Sequence, residues 1–193
     1  MKIAFATGND LKFATAVEHL AALPVALEQL RLDLDEIQSA DIGAVARHKA
    51  RQAHRLLARP VIVEDSGFGL DELGGYPGPM VKFTVAALGA SGIARLADLT
   101  ATRACRYTSC LVYVDERGSQ HAFRGEEPCT VAREPAGPDL ADAWSPLWNV
   151  VIPAGCSLPL AALPAAERER DLGEWRERST FRQFGDWLAD RAS

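Results

Sequence analysis

The sequence predicts an α/β fold, and three observations carry that expectation. Short apolar, β-branched runs such as Val61-Ile62-Val63 alternate with segments of helical periodicity through residue 99. Two long strand-like runs, 104–115 and 120–131, follow and are joined by the turn residues Glu116-Arg117-Gly118-Ser119. With 193 residues and 48% hydrophobic content, the chain can bury a sizeable core, as one large domain or a domain with a small lobe.

The elements read in order as follows. Ile3-Ala4-Phe5-Ala6 is a short strand, Thr7-Gly8-Asn9-Asp10 a turn, and Leu11 onward a helix. Such a strand–Gly turn–helix unit points backbone N–H groups at an anion, with Lys12 close enough to add a positive charge. Residues 32–37 alternate apolar and acidic side chains, which fits a strand running into a loop. Asp41 then caps a helix whose apolar positions include Ile42, Val45, Ala46, Ala53, Leu56 and Leu57, ended by the turn at Pro60. Next comes the Val61 strand, with Glu64 and Asp65 at its carboxyl end and Ser66-Gly67 turning the chain. Gly74-Gly75-Tyr76-Pro77-Gly78-Pro79 forces an irregular loop. Residues 81–99 read as two short helices separated near Gly89–Gly92, 135–164 as a Pro-rich irregular stretch, and 167–192 as one or two amphipathic helices broken near Gly173.

Carboxylates at the end of a central strand are well placed to hold a divalent metal, because open α/β sheets bind ligands there. Adjacent strand residues point to opposite faces, so only one of Glu64 and Asp65 can face a site unless the strand ends there. Asp65, next to the turn, is the choice for general base. The net charge of −5 argues against non-specific nucleic-acid binding. No secretory signal and no run of membrane-spanning length is expected. Cys105, Cys110, Cys129 and Cys156 lack CxxC spacing and read as reduced thiols of a cytoplasmic protein. Of 21 basic residues only Lys2, Lys12, Lys49 and Lys82 are lysines, compact charges suited to phosphate.

TGNDLK at 7–12 and VEDSGFGLDELGGYPGP at 63–79, with HKARQA at 48–53 and FRGEEPCTVAREPAG at 123–137, resemble the inosine triphosphate pyrophosphatase family. That resemblance covers most of the chain to about residue 135. It implies hydrolysis of non-standard purine nucleoside triphosphates to monophosphate and pyrophosphate, an elongated mixed twisted sheet with two lobes around a nucleotide cleft, and a homodimer. It implies phosphate binding by Thr7, Gly8, Asn9, Lys12, Lys49, Ser66, Gly67 and Lys82, with Lys12 and Asp65 catalytic. It also implies Mg2+ held by Glu36 and Asp65, with Glu64 as a neighbouring ligand or electrostatic partner.

Base recognition departs from the family. Its Phe-Gly-aromatic-Asp-Pro motif corresponds here to Asp142-Ala143-Trp144-Ser145-Pro146, and its Ser-His-Arg triplet to Arg178-Ser179-Thr180, with no histidine after His121. Trp144, Ser145 and Arg178 are therefore the candidate base-contacting residues. A pocket that reads a base edge loses discrimination when its buried partners change. Three readings follow: a magnesium-dependent pyrophosphatase of altered specificity, a house-cleaning inosine/xanthosine triphosphate pyrophosphatase, and a nucleotide-binding protein without turnover. Retention of Asp65 weighs against the third, since a binder needs no general base.

Overall fold

Residues 1–192 are described by a computed structural model, and seven strands and five helices are present among them. The strands are β1 (Lys2–Ala6), β2 (Ala26–Leu30), β3 (Val61–Leu70), β4 (Tyr76–Gly78), β5 (Ala104–Val114), β6 (Gln120–Val131) and β7 (Val151–Pro153). The helices are α1 (Asp10–Leu20), α2 (Ile42–Leu57), α3 (Val81–Ala97), α4 (Ala165–Glu177) and α5 (Thr180–Ala192). Sheet order is β2-β1-β3-β5-β6-β7, with β4 paired to β3. Because β1 is parallel to β2 and β3, while β4 and β7 run antiparallel to β3 and β6, the sheet is mixed.

The chain divides into two compact units, each assembled from separated segments. Unit 1 comprises residues 1–66, 109–125 and 177–193; unit 2 comprises 67–108 and 126–176. In unit 1 the strands alternate strictly. Ala4, Ala6, Val61, Val63, Cys110, Val112 and Val114 pack against Ile42, Ala46, Ala50 and Ala53 of α2. The small alanines let the helix approach the strands closely, and Asp41 caps it by accepting from the Gly43 N–H at 2.8 Å. The intervening residues Ile3, Phe5, Ile62, Leu111 and Tyr113 pack against Ala16 and Leu20 of α1 and Phe181, Phe184 and Leu188 of α5.

Unit 2 buries Phe68, Leu70, Ile93, Ala97, Cys105, Cys129, Val131, Leu147 and Val151. A second cluster gathers Trp148, Leu160, Ala161, Leu163 and Leu172. The Arg106 guanidinium forks onto Asp71 with two 2.8 Å bonds and reaches Glu126 at 2.8 Å. That geometry is the strong, planar form of an arginine–carboxylate pair.

Several local expectations are corrected. β3 does not end at Asp65: it runs ten residues through Ser66-Gly67 to Leu70, because β4 pairs Phe68–Leu70 and prolongs the ladder. Gly67 is strand, not turn, and a Cβ there would lie 2.8 Å from the Gly78 carbonyl oxygen, so glycine permits the close approach of β4. The strand expected over 32–37 lies instead at Ala26–Leu30, where parallel pairing with β1 overrides the alternating pattern downstream. The C-terminal helices break at Arg178-Ser179, where the Ser179 hydroxyl accepts from the Arg182 N–H at 3.2 Å, and Gly173 sits inside α4. The two short helices expected over 81–99, separated near Gly89–Gly92, are by contrast borne out: α3 is broken at Gly89, whose backbone is non-helical with a φ of 65°.

Candidate functional site

The turn after β1 is built by its own side chains. Asn9 caps α1, its Oδ1 accepting from the Leu11 and Lys12 N–H groups at 2.9 and 3.1 Å, and its own N–H donates to Thr7 Oγ1 at 3.1 Å. Two of the helix N–H groups expected to face an anion are thus already satisfied by Asn9. Gly8 is exposed, with open space where a Cβ would stand. From the first turn of α1, Lys12 reaches β3. Its Nζ lies 3.0 Å from Ser66 Oγ and 2.7 Å from Glu64 Oε2. The latter contact is off the line of a hydrogen bond, so Glu64 Oε2 is paired by charge alone.

Asp65 points the other way, as alternation along an uninterrupted strand requires. Lys49 Nζ, from α2, donates to Asp65 Oδ1 at 2.8 Å and stands 3.5 Å from Glu36 Oε2. Burial works to lower the Lys49 pKa, but the charges and hydrogen bonds of Asp65 and Glu36 outweigh it and hold the ammonium above the ordinary lysine range. Glu36, Lys49 and Asp65 therefore converge on one face of β3, and Lys12, Glu64 and Ser66 on the other.

The first of these groups fits a hard divalent cation. Asp65 Oδ2 is buried and has no hydrogen-bond partner. Glu36, with half its side chain exposed, supplies a second carboxylate to the same ammonium. Among the described residues no cluster of three or more His, Cys, Asp or Glu side chains is assembled. Two carboxylates with the remaining positions left to water and phosphate oxygens is the usual provision for Mg2+. Glu64 lies on the opposite face from Glu36 and Asp65.

In unit 2, Lys82 is exposed at the start of α3. Trp144 is half exposed, edge-on to Trp148 at 4.7 Å and 6.3 Å from Trp175. The Ser145 hydroxyl accepts from the Leu147 N–H at 3.3 Å and so caps the 3-10 turn Pro146–Asn149. Arg178, in unit 1, is exposed between α4 and α5, and its carbonyl accepts from Gln183 Nε2 at 3.3 Å. Sequence reasoning missed Gln29 and Arg31, which grip the Thr7–Asp10 turn from the end of β2. No local motif marks them; only the pairing of β2 with β1 brings them there.

Residues 3–170 match the model of the Ham1 family. The chain belongs to that family. It is 33% identical over 168 residues to the dITP/XTP pyrophosphatase of Methanopyrus kandleri, covering 87% of each chain. To inosine triphosphate pyrophosphatase 2 of Trypanosoma cruzi it is 30% identical over 169 residues, covering 88% of this chain and 84% of that one. Among solved structures, the Ham1 protein of Staphylococcus aureus superposes with a TM-score of 0.79 at 16% identity, over 99% of this chain and 100% of that one. The HAM1 protein of Coxiella burnetii gives 0.77 at 19%, over 98% and 99%. At such identities these two establish the fold. The family match reaches well past residue 135, the limit suggested by the motifs alone, and stops before Arg178.

Proposed function

We propose that this chain is a Mg2+-dependent nucleoside triphosphate pyrophosphohydrolase that releases the monophosphate and pyrophosphate. The observation carrying this reading is the Glu36–Lys49–Asp65 group, with one buried carboxylate oxygen lacking a partner. Relatives named as dITP/XTP and inosine triphosphate pyrophosphatases support the reaction class.

In this mechanism Asp65 accepts a proton from the attacking water, and Lys49 fixes the carboxylate through Oδ1 and leaves Oδ2 without a hydrogen bond. Lys12 and the turn Thr7-Gly8-Asn9, with Ser66, neutralise phosphate oxygens. Glu36 and Asp65 would hold the metal, which when bound supplies positive charge against the phosphates. Gly67, buried in the ladder, serves by allowing β4 to approach. Glu64 acts as the electrostatic partner of Lys12.

Base selection is the point where this chain leaves its family's pattern. Ser145 stands where the motif has an aspartate, and its hydroxyl oxygen is engaged in capping. Trp144 offers an indole surface on which any base stacks, with Lys82 and Arg178 as further substrate contacts. Weak or redirected base discrimination follows, with Trp144→Ala reducing turnover of all substrates alike. The test is a screen of nucleoside triphosphates with Mg2+, measuring pyrophosphate and phosphate separately. Release of pyrophosphate supports the reading; binding without release from any nucleotide overturns it. A preference for inosine triphosphate over GTP on the order of 10²-fold would overturn the redirected selectivity alone.

The same reading takes residues 1–193 as one catalytic domain of a cytoplasmic homodimer. No helix among the described residues is long and apolar enough to cross a membrane. Tyr76, Met80 and Phe83 of unit 2 are 45, 46 and 73% exposed, an apolar surface suited to burial between copies. Sedimentation at micromolar concentration should give twice 20.9 kDa, and a monomer would remove the dimer.

A further inference from the structure

Phosphate-receiving turns must keep their carbonyl oxygens turned away from the anion, and a glycine-containing turn does not do so unaided. Here that orientation is imposed from the end of β2. Arg31 Nη1 donates to the Gly8 carbonyl at 2.9 Å, and Nη2 to Asp10 Oδ1 at 2.5 Å. Gln29 Nε2 donates to the same Asp10 oxygen at 2.8 Å and lies 3.4 Å from the Thr7 carbonyl. The Thr7 N–H completes the frame by donating to the Leu30 carbonyl at 3.0 Å. Two successive carbonyls of the turn, and the carboxylate that follows them, are thus engaged by two side chains, Gln29 and Arg31, from one strand end.

We propose that Arg31, assisted by Gln29, is a positioning residue for triphosphate binding, acting through the Gly8 carbonyl and Asp10 rather than by touching the substrate. The proposal rests on the pyrophosphatase reading for its choice of ligand. Its physical basis is that the pair is highly exposed, with side chains 62 and 73% accessible, so it contributes little to folding. What it does control is the shape of the turn. Arginine is needed because one planar fork spans a carbonyl and a carboxylate together, which an ammonium does not.

The test measures inorganic tripolyphosphate binding by calorimetry, with KM, kcat and melting temperature, in wild type, Arg31→Ala, Arg31→Lys, Asp10→Ala and the Arg31→Ala/Asp10→Ala double variant. Arg31→Ala and Asp10→Ala should each weaken tripolyphosphate and raise KM by about tenfold, the worth of one hydrogen bond. Values of kcat should stay within about twofold and melting temperatures within about 2 °C, as for an exposed pair. The double variant should be no worse than the weaker single, since both act on one element, and Arg31→Lys should not rescue. Tighter binding by Asp10→Ala, rescue by lysine, or unchanged KM in Arg31→Ala overturns the proposal, as does a wild type that binds no tripolyphosphate. A wild type that binds it but hydrolyses no nucleotide overturns the reaction while leaving the positioning role standing.

Discussion

The two faces of β3 carry nearly the same chemistry under different conditions. On the face of α1 and α5, Glu64 has a side chain only 5% exposed, and its cation is Lys12. On the face of α2, Asp65 is 13% exposed and shares Lys49 with Glu36, which is 53% exposed. Glu64 is enclosed, with its charge committed to one partner. Each carboxylate keeps one buried oxygen without a hydrogen bond, Oε2 of Glu64 beside the Lys12 ammonium and Oδ2 of Asp65. A carboxylate enclosed with its own lysine serves to hold that lysine in place, whereas one that shares its lysine with a half-exposed neighbour can exchange partners. That difference, set by one step along the strand, favours Asp65 as the base of the proposed reaction.

The largest expected effect breaks the comparison directly. Asp65→Asn should reduce pyrophosphate release by about 10²–10⁴-fold, because it removes the base and a negative charge together. Glu64→Gln, which keeps an oxygen for Lys12, should lose far less. If steady-state rates rank the two the other way, the chemistry lies on the α1 face.

Stability should rank the faces in the opposite order. Lys12→Ala leaves Glu64 enclosed without its cation and should cost about 3 kcal/mol in urea denaturation, as breaking a buried pair does. Lys49→Ala should cost about 1–2 kcal/mol, since Asp65 keeps more access to water. Equal losses would show that the two enclosures are equivalent.

The smallest effect is a pH dependence. The folded-state pKa of Lys49 is raised, so its contribution to stability is complete below the ordinary lysine value of 10.5 and declines as pH rises through the folded value. Alkaline denaturation should therefore be shallower in Lys49→Met than in wild type above that pH. An identical slope would mean that Asp65 and Glu36 do not hold the ammonium in solution.

Much of this was legible because local physics agreed with tertiary structure. Asp41 caps α2, α1 begins at Asp10 where Leu11 was expected, and the hairpin of β5 and β6 lies within a residue of its expected bounds. The error at Ser66-Gly67 arose because glycine reads as a turn when its partner strand is unseen. Here the glycine answers to β4, which follows it in the chain. For Glu64 and Asp65 the alternation rule was sound, and the continuation of the strand decided how it applied. Arg31 and Gln29 were invisible because their meaning depends on parallel pairing across α1, which no local pattern encodes. In the C-terminal third, Trp144 stood out as a tryptophan, but Ser145 and Ser179 could not be recognised as caps without the turns that they begin.

The assignment of residues 177–193 to unit 1 bears on how this protein is made. Phe181, Phe184 and Leu188 of α5 complete a cluster whose other members include Ile3 and Phe5, distant from them in sequence. During synthesis the first strand leaves the ribosome long before the helix that covers it exists. Unit 2 has all its segments once residue 176 has emerged; unit 1 does not. Until α5 clears the exit tunnel, an aromatic surface around Phe5 stays open to chaperones and proteases. A premature stop ahead of α5 should therefore act on the nascent chain as a signal for destruction, whatever becomes of the chemistry encoded upstream.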